Sequence, residues 1–339
     1  MLRSMYSGIS GLRNSQTKLD VVGNNIANVN TYGFKKGRIT FKDMVSQNMA
    51  GATGSSIVNN NGVITGVGGT NPRQVGLGAS IASIDTITTQ GNLQTTNRTL
   101  DLGISGDGYF TVYDGSNTPY YTRAGNFYLD ADGNLVSSEG YNLIGQMYID
   151  VPQQGQLPTG EVLDNTPSLL PNLAPGEQVG GNQADADQRR LFIPSEVTTV
   201  QVVNPDGSVG YNPVAQGQAN PKLKSFSIGQ DGTINVIYDG DSQPRVIGQI
   251  QMTKFTNTEG LEKVGGNLYT VSANSGDPQE VWPRSGGSGS VVSGTLEMSN
   301  VDLSEEFTEM IVGQRSFQAN SRIITTSDEI LQELVNLKR

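Results

Sequence analysis

Apolar repeats of seven residues stand at both ends of this chain, separated by a long Gly-rich stretch of strand-like sequence. Near the N-terminus Met5, Leu12, Leu19 and Ile26 recur every seventh residue, and near the C-terminus Leu303, Met310, Phe317, Ile324 and Leu331 do the same. On a helix such a repeat makes one continuous seam, stable only against a partner helix. The companion row reads as Leu2 and Ile9, interrupted at Gln16, in the first segment. In the second it reads as Phe307, Gln314, Ser321, Asp328 and Val335. A half-polar companion row suits a helix with several neighbours better than a two-stranded dimer. The two ends are therefore expected to pair with each other or with copies of themselves, which fits an assembling protein better than an enzyme.

The periodicity predicts a first helix over 4–29. Gly8, Gly11 and Gly23 inside it each cost about 1 kcal/mol relative to Ala, so it should need packing to be stable. The second helix has a start signal in Asp302, an N-cap residue with Glu305 three positions on, and Glu306 adds a further acid at the positive end of the dipole. Lys338 and Arg339 close it. Residues 1–43 carry seven basic side chains against Asp20 and Asp43, an excess of +5, whereas 302–339 carry a net −3 and the whole chain −10. The two helices are thus electrostatically suited to lie together.

Among 339 residues there is no Cys and no His. Disulfides, thiolate metal sites, Cys nucleophiles and Ser-His-Asp triads are excluded, and no cofactor or metal site is expected. Only 16% of the residues are charged while Gly numbers 43, a balance that favours a turn-rich β protein. No basic–aromatic stripe indicates nucleic acid, and no apolar run is long enough for a signal peptide or membrane insertion.

Strand signals joined by Asp-Gly turns fill 75–146 and return over 222–284, as in Tyr109–Tyr113, Ala131-Asp132-Gly133 and Ile234–Tyr238. The expected fold is mainly β with terminal α-helices. Residues 1–30 and 300–339 would form a coiled-coil inner domain, with 31–74 an extended arm or linker. Residues 75–146 and 222–284 would make one discontinuous antiparallel β domain. The Pro-rich segment 147–221 would be a small inserted outer β/loop domain, and 285–299 a Gly/Ser-rich joint.

Weaker motifs favour structural roles. Asp130–Asn134 resembles a calcium loop but has Leu135 and Tyr141 where Gly and Glu are required, so it reads as a hairpin turn. Gly66–Gly69 lacks the strand–turn–helix setting of a nucleotide site. Asp101 and Asp107 read as strand-edge and turn residues rather than paired catalytic acids, and Lys35 and Lys36 as solvated.

Longer motifs carry a resemblance. Ser7–Gly11, Asn24–Lys36, Ile104–Phe110, Tyr121–Phe127, Leu296–Leu303 and Ser327–Leu334 resemble the signatures of bacterial flagellar rod and hook proteins. Asn24, Asn25, Asn28, Gly33, Phe34, Gly106 and Gly108 fall on those signatures. Within the family the ends look most like the hook subunit of Gram-positive bacteria. The resemblance implies a structural, non-enzymatic subunit that polymerises into a hollow, flexible universal joint, its helix seams at Met5, Ile9, Leu12, Leu19, Ile26, Leu303, Phe307, Met310, Phe317, Ile324, Leu331 and Val335 forming the inner tube. It also implies partners: other copies, the distal rod protein, the hook cap, the hook–filament junction protein and the flagellar type III export apparatus. The expected location is extracellular, in the hook or basal body, reached without signal cleavage. A distal rod subunit is the alternative, because the insert is smaller than in large hook proteins. From other classes, a carboxylate-dependent glycan hydrolase would need two acids facing one cleft, which no spacing here indicates, and an adhesin with coiled-coil ends is a third reading.

Overall fold

The local signals at the two ends produce the expected helices, α1 (Leu2–Ala27) and α2 (Leu303–Asn336). Asp302 caps α2, its carboxylate accepting from the Ser304 N–H at 2.8 Å, and Glu305 and Glu306 occupy the first turn. The structure, a computed structural model, describes residues 2–55, 58–60, 63–65, 68–115, 118–147, 190–197, 199–203, 209–213 and 220–337. Every strand pairing among them is antiparallel. The chain folds as two units: Met1–Val29, Lys35–Ile87 and Val301–Arg339 make the helical unit, and Asn30–Phe34 with Thr88–Asn300 make the β unit.

In the helical unit α1 and α2 run antiparallel, with Gly8 beside Ile324 and, at the other end, Asn25 beside Glu306. The segment expected as an extended arm is a paired ribbon. Gly37–Asp43 pairs with Ala79–Thr86, Ser46–Ala50 with Arg73–Gly76, and Val58–Asn60 with Val63–Thr65. Its return strand at 79–86 thus joins this ribbon, although the strand signals over 75–87 suggest the β domain. The physical reason is backbone satisfaction: an extended strand leaves donors and acceptors that an antiparallel partner meets.

In the β unit Tyr109–Tyr113 is the central strand of one sheet. It pairs with Pro119–Thr122 along one edge and with Asn142–Leu143 and Met252–Lys254 along the other. A second sheet runs Gly145–Met147, Arg245–Ile250, Thr233–Tyr238, Leu223–Ile228. Phe110, Val112 and Leu143 of the first sheet and Ile234, Val236 and Ile250 of the second belong to one buried core. The sequence halves on either side of the insert therefore complete one core.

Two expected boundaries move. Residues 148–189 of the expected insert lie outside the described residues. Leu191 and Ile193, also assigned to the insert, are buried in the core, and the Leu191 carbonyl accepts from the Leu135 N–H at 2.9 Å. Leu191 and Ile193, two positions apart, point to the same side of an extended chain and so re-enter the core together. Likewise 285–299 is more than a joint: Ser290–Ser293 pairs with Leu102–Ser105, Thr295–Glu297 pairs with Leu93–Thr95, and Val291 and Leu296 are buried. Gly-Ser composition marks the turn at its start, but the β-branched pair Val291-Val292 makes a strand.

Burial raises the phenol pKa of Tyr109, Tyr121, Tyr238 and Tyr269, that of Tyr238 to about 12 from 10.0. The Tyr238 hydroxyl also donates to the Pro194 carbonyl at 3.1 Å. Because the folded values lie above the unfolded one, the stability these phenols contribute is full below pH 10 and is lost as pH rises through about 12. The tyrosinate absorbance of these four phenols is expected to appear in one cooperative step with loss of β-sheet circular dichroism in that window. Ionisation of these four phenols while the sheets stay intact would contradict this.

Candidate assembly surface

The seam between α1 and α2 is built from smaller and more polar residues than the heptad rows suggested. Of the predicted row on α2, Met310, Ile324 and Leu331 are half-buried, while Leu303 and Phe317 are exposed. The companion row is not the one through Phe307 and Val335, which are 50% and 66% exposed. It is one residue earlier: Glu306, Gly313, Asn320 and Ser327, three positions after the first row rather than four, an equally good heptad spacing. On α1, Met5, Leu12, Leu19 and Ile26 are half-buried, and the inner companions are Gly8, Ser15 and Val22, whereas Ile9 faces solvent.

Small residues set how closely the helices approach. A Cβ on Gly313 would stand 3.1 Å from Leu19 Cδ2, and one on Gly11 would stand 2.6 Å from Asn320 Nδ2. The seam also holds a direct hydroxyl contact, Ser15 Oγ to Ser316 Oγ at 3.2 Å.

One end of the seam is closed by polar groups. Asn25, 1% exposed, donates from Nδ2 to Glu306 Oε2 (3.1 Å) and to the Gly37 carbonyl (2.9 Å), and its Oδ1 accepts from the Gly37 N–H (2.9 Å). Lys18 pairs with Glu309, and Lys36 Nζ with Glu305 Oε2 at 2.7 Å. The basic start and acidic end thus meet through specific pairs. Lys35 and Lys36, expected as solvated, are not: Lys35 is fully buried, and the first turn of α2 brings Glu305 to Lys36. Asn25 bonds across the seam, whereas the Asn28 side chain donates to Asn24 within its own helix. Because Asn25 meets three backbone and side-chain partners at once, Asn25→Ala is expected to destabilise the helical unit by about 1–3 kcal/mol. Thermal loss of helical circular dichroism measures it, and an unchanged melt would remove this role.

The remaining signature residues lie in the β unit. Gly33 has φ 69°, and a Cβ there would sit 2.6 Å from the Ala124 nitrogen. Phe34 is buried with the Lys263 ammonium 4.9 Å from its ring centroid, and burial lowers the Lys263 pKa. Gly106 and Gly108 take φ of 111° and 131°, which only Gly adopts readily, and carry the chain into Tyr109–Tyr113. A residue pair that the sequence did not single out joins two signatures: Arg123 Nη1 donates to Glu297 Oε2 at 3.2 Å, both side chains buried. Both letters stand inside quoted motifs, but nothing local indicates that they meet. Asp101 is held by Arg98 at 3.1 Å, and Asp130 accepts from Asp132 N–H and Asn134 Nδ2, as a turn does. Gly66 and Val67 lie outside the described residues.

α2 carries more large apolar residues than α1 covers. Phe307, Ile311, Val312, Ile323, Ile330 and Leu334 are all exposed, and by helical spacing they flank the seam on both sides. No helix among the described residues is long and apolar enough to cross a membrane.

Comparison with known proteins gives the same parts. Residues 5–35 match the family described as flagella basal body rod protein, 103–236 the flagellar hook protein FlgE/F/G D1 domain, and 292–337 the flagellar basal body rod FlgEFG protein C-terminal region. The chain is 46% identical to the flagellar basal-body rod protein FlgG of Bacillus subtilis (strain 168) over 340 residues, covering all of both. It is 35% identical to the flagellar hook protein FlgE of Borreliella burgdorferi over 451 residues, again covering all of both, and 31% identical to the FlgG of the same organism over 341. The crystal structure of Helicobacter pylori flagellar hook protein FlgE2 aligns with 60% of this chain at 11% identity and a TM-score of 0.39, too slight a likeness to bear on the fold. Terminal signatures, the D1 segment and full-length relatives all agree, and the chain belongs to the family of flagellar basal-body rod and hook proteins.

Proposed function

We propose that this chain is a structural, non-catalytic subunit of the distal rod of the flagellar basal body. The observation that carries this reading is collinearity. The FlgG relative aligns over 340 positions with a chain of 339 residues, whereas the FlgE relative needs 451, so the hook relative holds over a hundred positions with no counterpart here. This reverses the order expected from the two ends, in which the hook came first, and agrees with the alternative that the small insert suggested. The hook remains the second reading, favoured by the FlgE relative's 35% identity over the whole chain.

In either place the mechanism uses the same surface. The α1/α2 seam, with its small residues and the Asn25–Glu306 clasp, sets one antiparallel register within a subunit. The apolar residues left outward on α2 then bury against helices of neighbouring copies, each contributing about 1.5–3 kcal/mol before ordering entropy is subtracted. The result is an inner tube of helices. The partners are other copies, the adjoining hook or rod subunits, and the type III export apparatus that would deliver the chain without signal cleavage.

A strain lacking this chain separates the two readings by electron microscopy of its basal bodies. A distal rod subunit leaves a truncated rod and no hook. A complete straight rod that lacks only the hook would overturn the rod reading in favour of the second.

A further inference from the structure

The outward apolar residues of α2 divide between two stripes. Val312, Ile323, Ile330 and Leu334 follow one another by eleven, seven and four residues, steps that keep to one side of a helix. Glu305, seven before Val312, lies on that side too, where Lys36 at the root of the ribbon reaches it at 2.7 Å. Leu303, Phe307 and Ile311, four residues apart and between 39% and 51% exposed, make the second stripe. The five residues from Phe307 to Val312 turn the helix by about 140° beyond a full turn, so the second stripe faces away from the ribbon root. Charges of opposite sign stand beside the two stripes. Arg315 continues the second stripe four residues after Ile311, and Glu333 borders the first, three residues after Ile330. Both are exposed, and neither enters an ion pair among the described residues. By contrast Glu305, Glu306 and Glu309, in the turns of the second stripe, are held within the chain by Lys36, Asn25 and Lys18.

We propose that the two stripes are the two halves of one head-to-tail contact between copies of this chain. Leu303, Phe307 and Ile311 of one copy pack on Ile323, Ile330 and Leu334 of the next, and Arg315 pairs with Glu333 of that second copy. The proposal rests on the polymer-forming reading above and names the surfaces that it uses. A stripe that met its own kind would make a two-fold pair and close, whereas a growing rod needs two different surfaces on each copy. The stripes also stand at different heights on α2. Setting Phe307 into the gap between Ile323 and Ile330 offsets two parallel helices by about 20 residues, roughly 30 Å. The same offset brings Arg315 beside Glu333, so apolar and charged residues agree on one register.

The test has two arms on the full chain. In the first, the photoreactive residue p-benzoylphenylalanine is placed at position 307, and polymer grown from isotope-labelled and unlabelled copies is irradiated. Mass spectrometry is expected to find adducts that join the two labels and fall within 323–334. Adducts between copies that fall only within 303–311, or only on the ribbon strands, overturn the pairing of the stripes. In the second arm, Arg315→Glu and Glu333→Arg are each expected to raise the concentration needed for assembly about tenfold, with the double variant returning it to near the parent value. A double variant no better than the worse single variant overturns the ion pair and the register built on it. Both positions are exposed, so the thermal melts of these subunits should match the parent, and this arm stays readable even where the photoreactive chain does not assemble. A parent chain that never polymerises would sink the proposed function together with the contact, whereas polymer with the wrong adducts would sink the contact alone.

Discussion

Replacing Glu297 by Ala is expected to lower the unfolding free energy of the β unit by about 3–5 kcal/mol, the cost of breaking a buried ion pair from one side. The Glu297 side chain is fully enclosed, its Oε2 held by Arg123 Nη1 at 3.2 Å and its Oε1 accepting from the Gly91 N–H at 2.9 Å. Its removal leaves the Arg123 guanidinium buried beside the Tyr109 ring, 5.1 Å from the centroid, with this carboxylate partner gone and a backbone donor unmet. Glu297→Gln keeps an acceptor for Gly91 and removes the charge, so it should fall between Ala and the parent. Urea unfolding followed by near-ultraviolet circular dichroism measures both. A Glu297→Ala midpoint indistinguishable from the parent would show that the pair carries none of this stability.

The double substitution Ile323→Asp with Ile330→Asp is expected to abolish polymerisation while sparing the subunit. Both side chains are about half exposed on the isolated chain and stand seven residues apart on one flank of the α2 seam. Each would lose about 1.5–3 kcal/mol of burial in the polymer, which raises the concentration needed for assembly by about a hundredfold or more. The subunit itself should change by no more than about 1 kcal/mol, since these are exposed helix positions. Sedimentation of the variant at rising concentration, beside its thermal melt, checks both halves. Normal polymer from the double variant would mean that this flank of α2 faces no neighbour.

Much of the fold could be read residue by residue. The α2 start at Asp302 and its 34-residue run follow from a cap and a period, both properties of a few neighbouring residues. The turns at Asp132-Gly133 and Asp231-Gly232 likewise show positive φ at Gly, as the dipeptides require. The seam was half legible. The row through Met310, Ile324 and Leu331 was found because it is apolar, while its true companion was missed because Glu306, Gly313, Asn320 and Ser327 are not. Searching for large apolar residues selects Phe307 and Val335, yet close helix packing selects small ones.

Long-range pairing was the least legible. Arg123 and Glu297 lie 174 residues apart, and strand Leu102–Ser105 finds its partner at Ser290–Ser293. By itself the sequence determined helical, mutually complementary ends, a β-rich middle, and a chemistry without Cys or His. Only the tertiary structure decided which helix face is the seam, that the arm is a ribbon, and that 190–197 and 290–297 belong to the core. Periods, caps and turns are written in neighbouring residues; the choice of a distant partner depends on packing the whole unit at once.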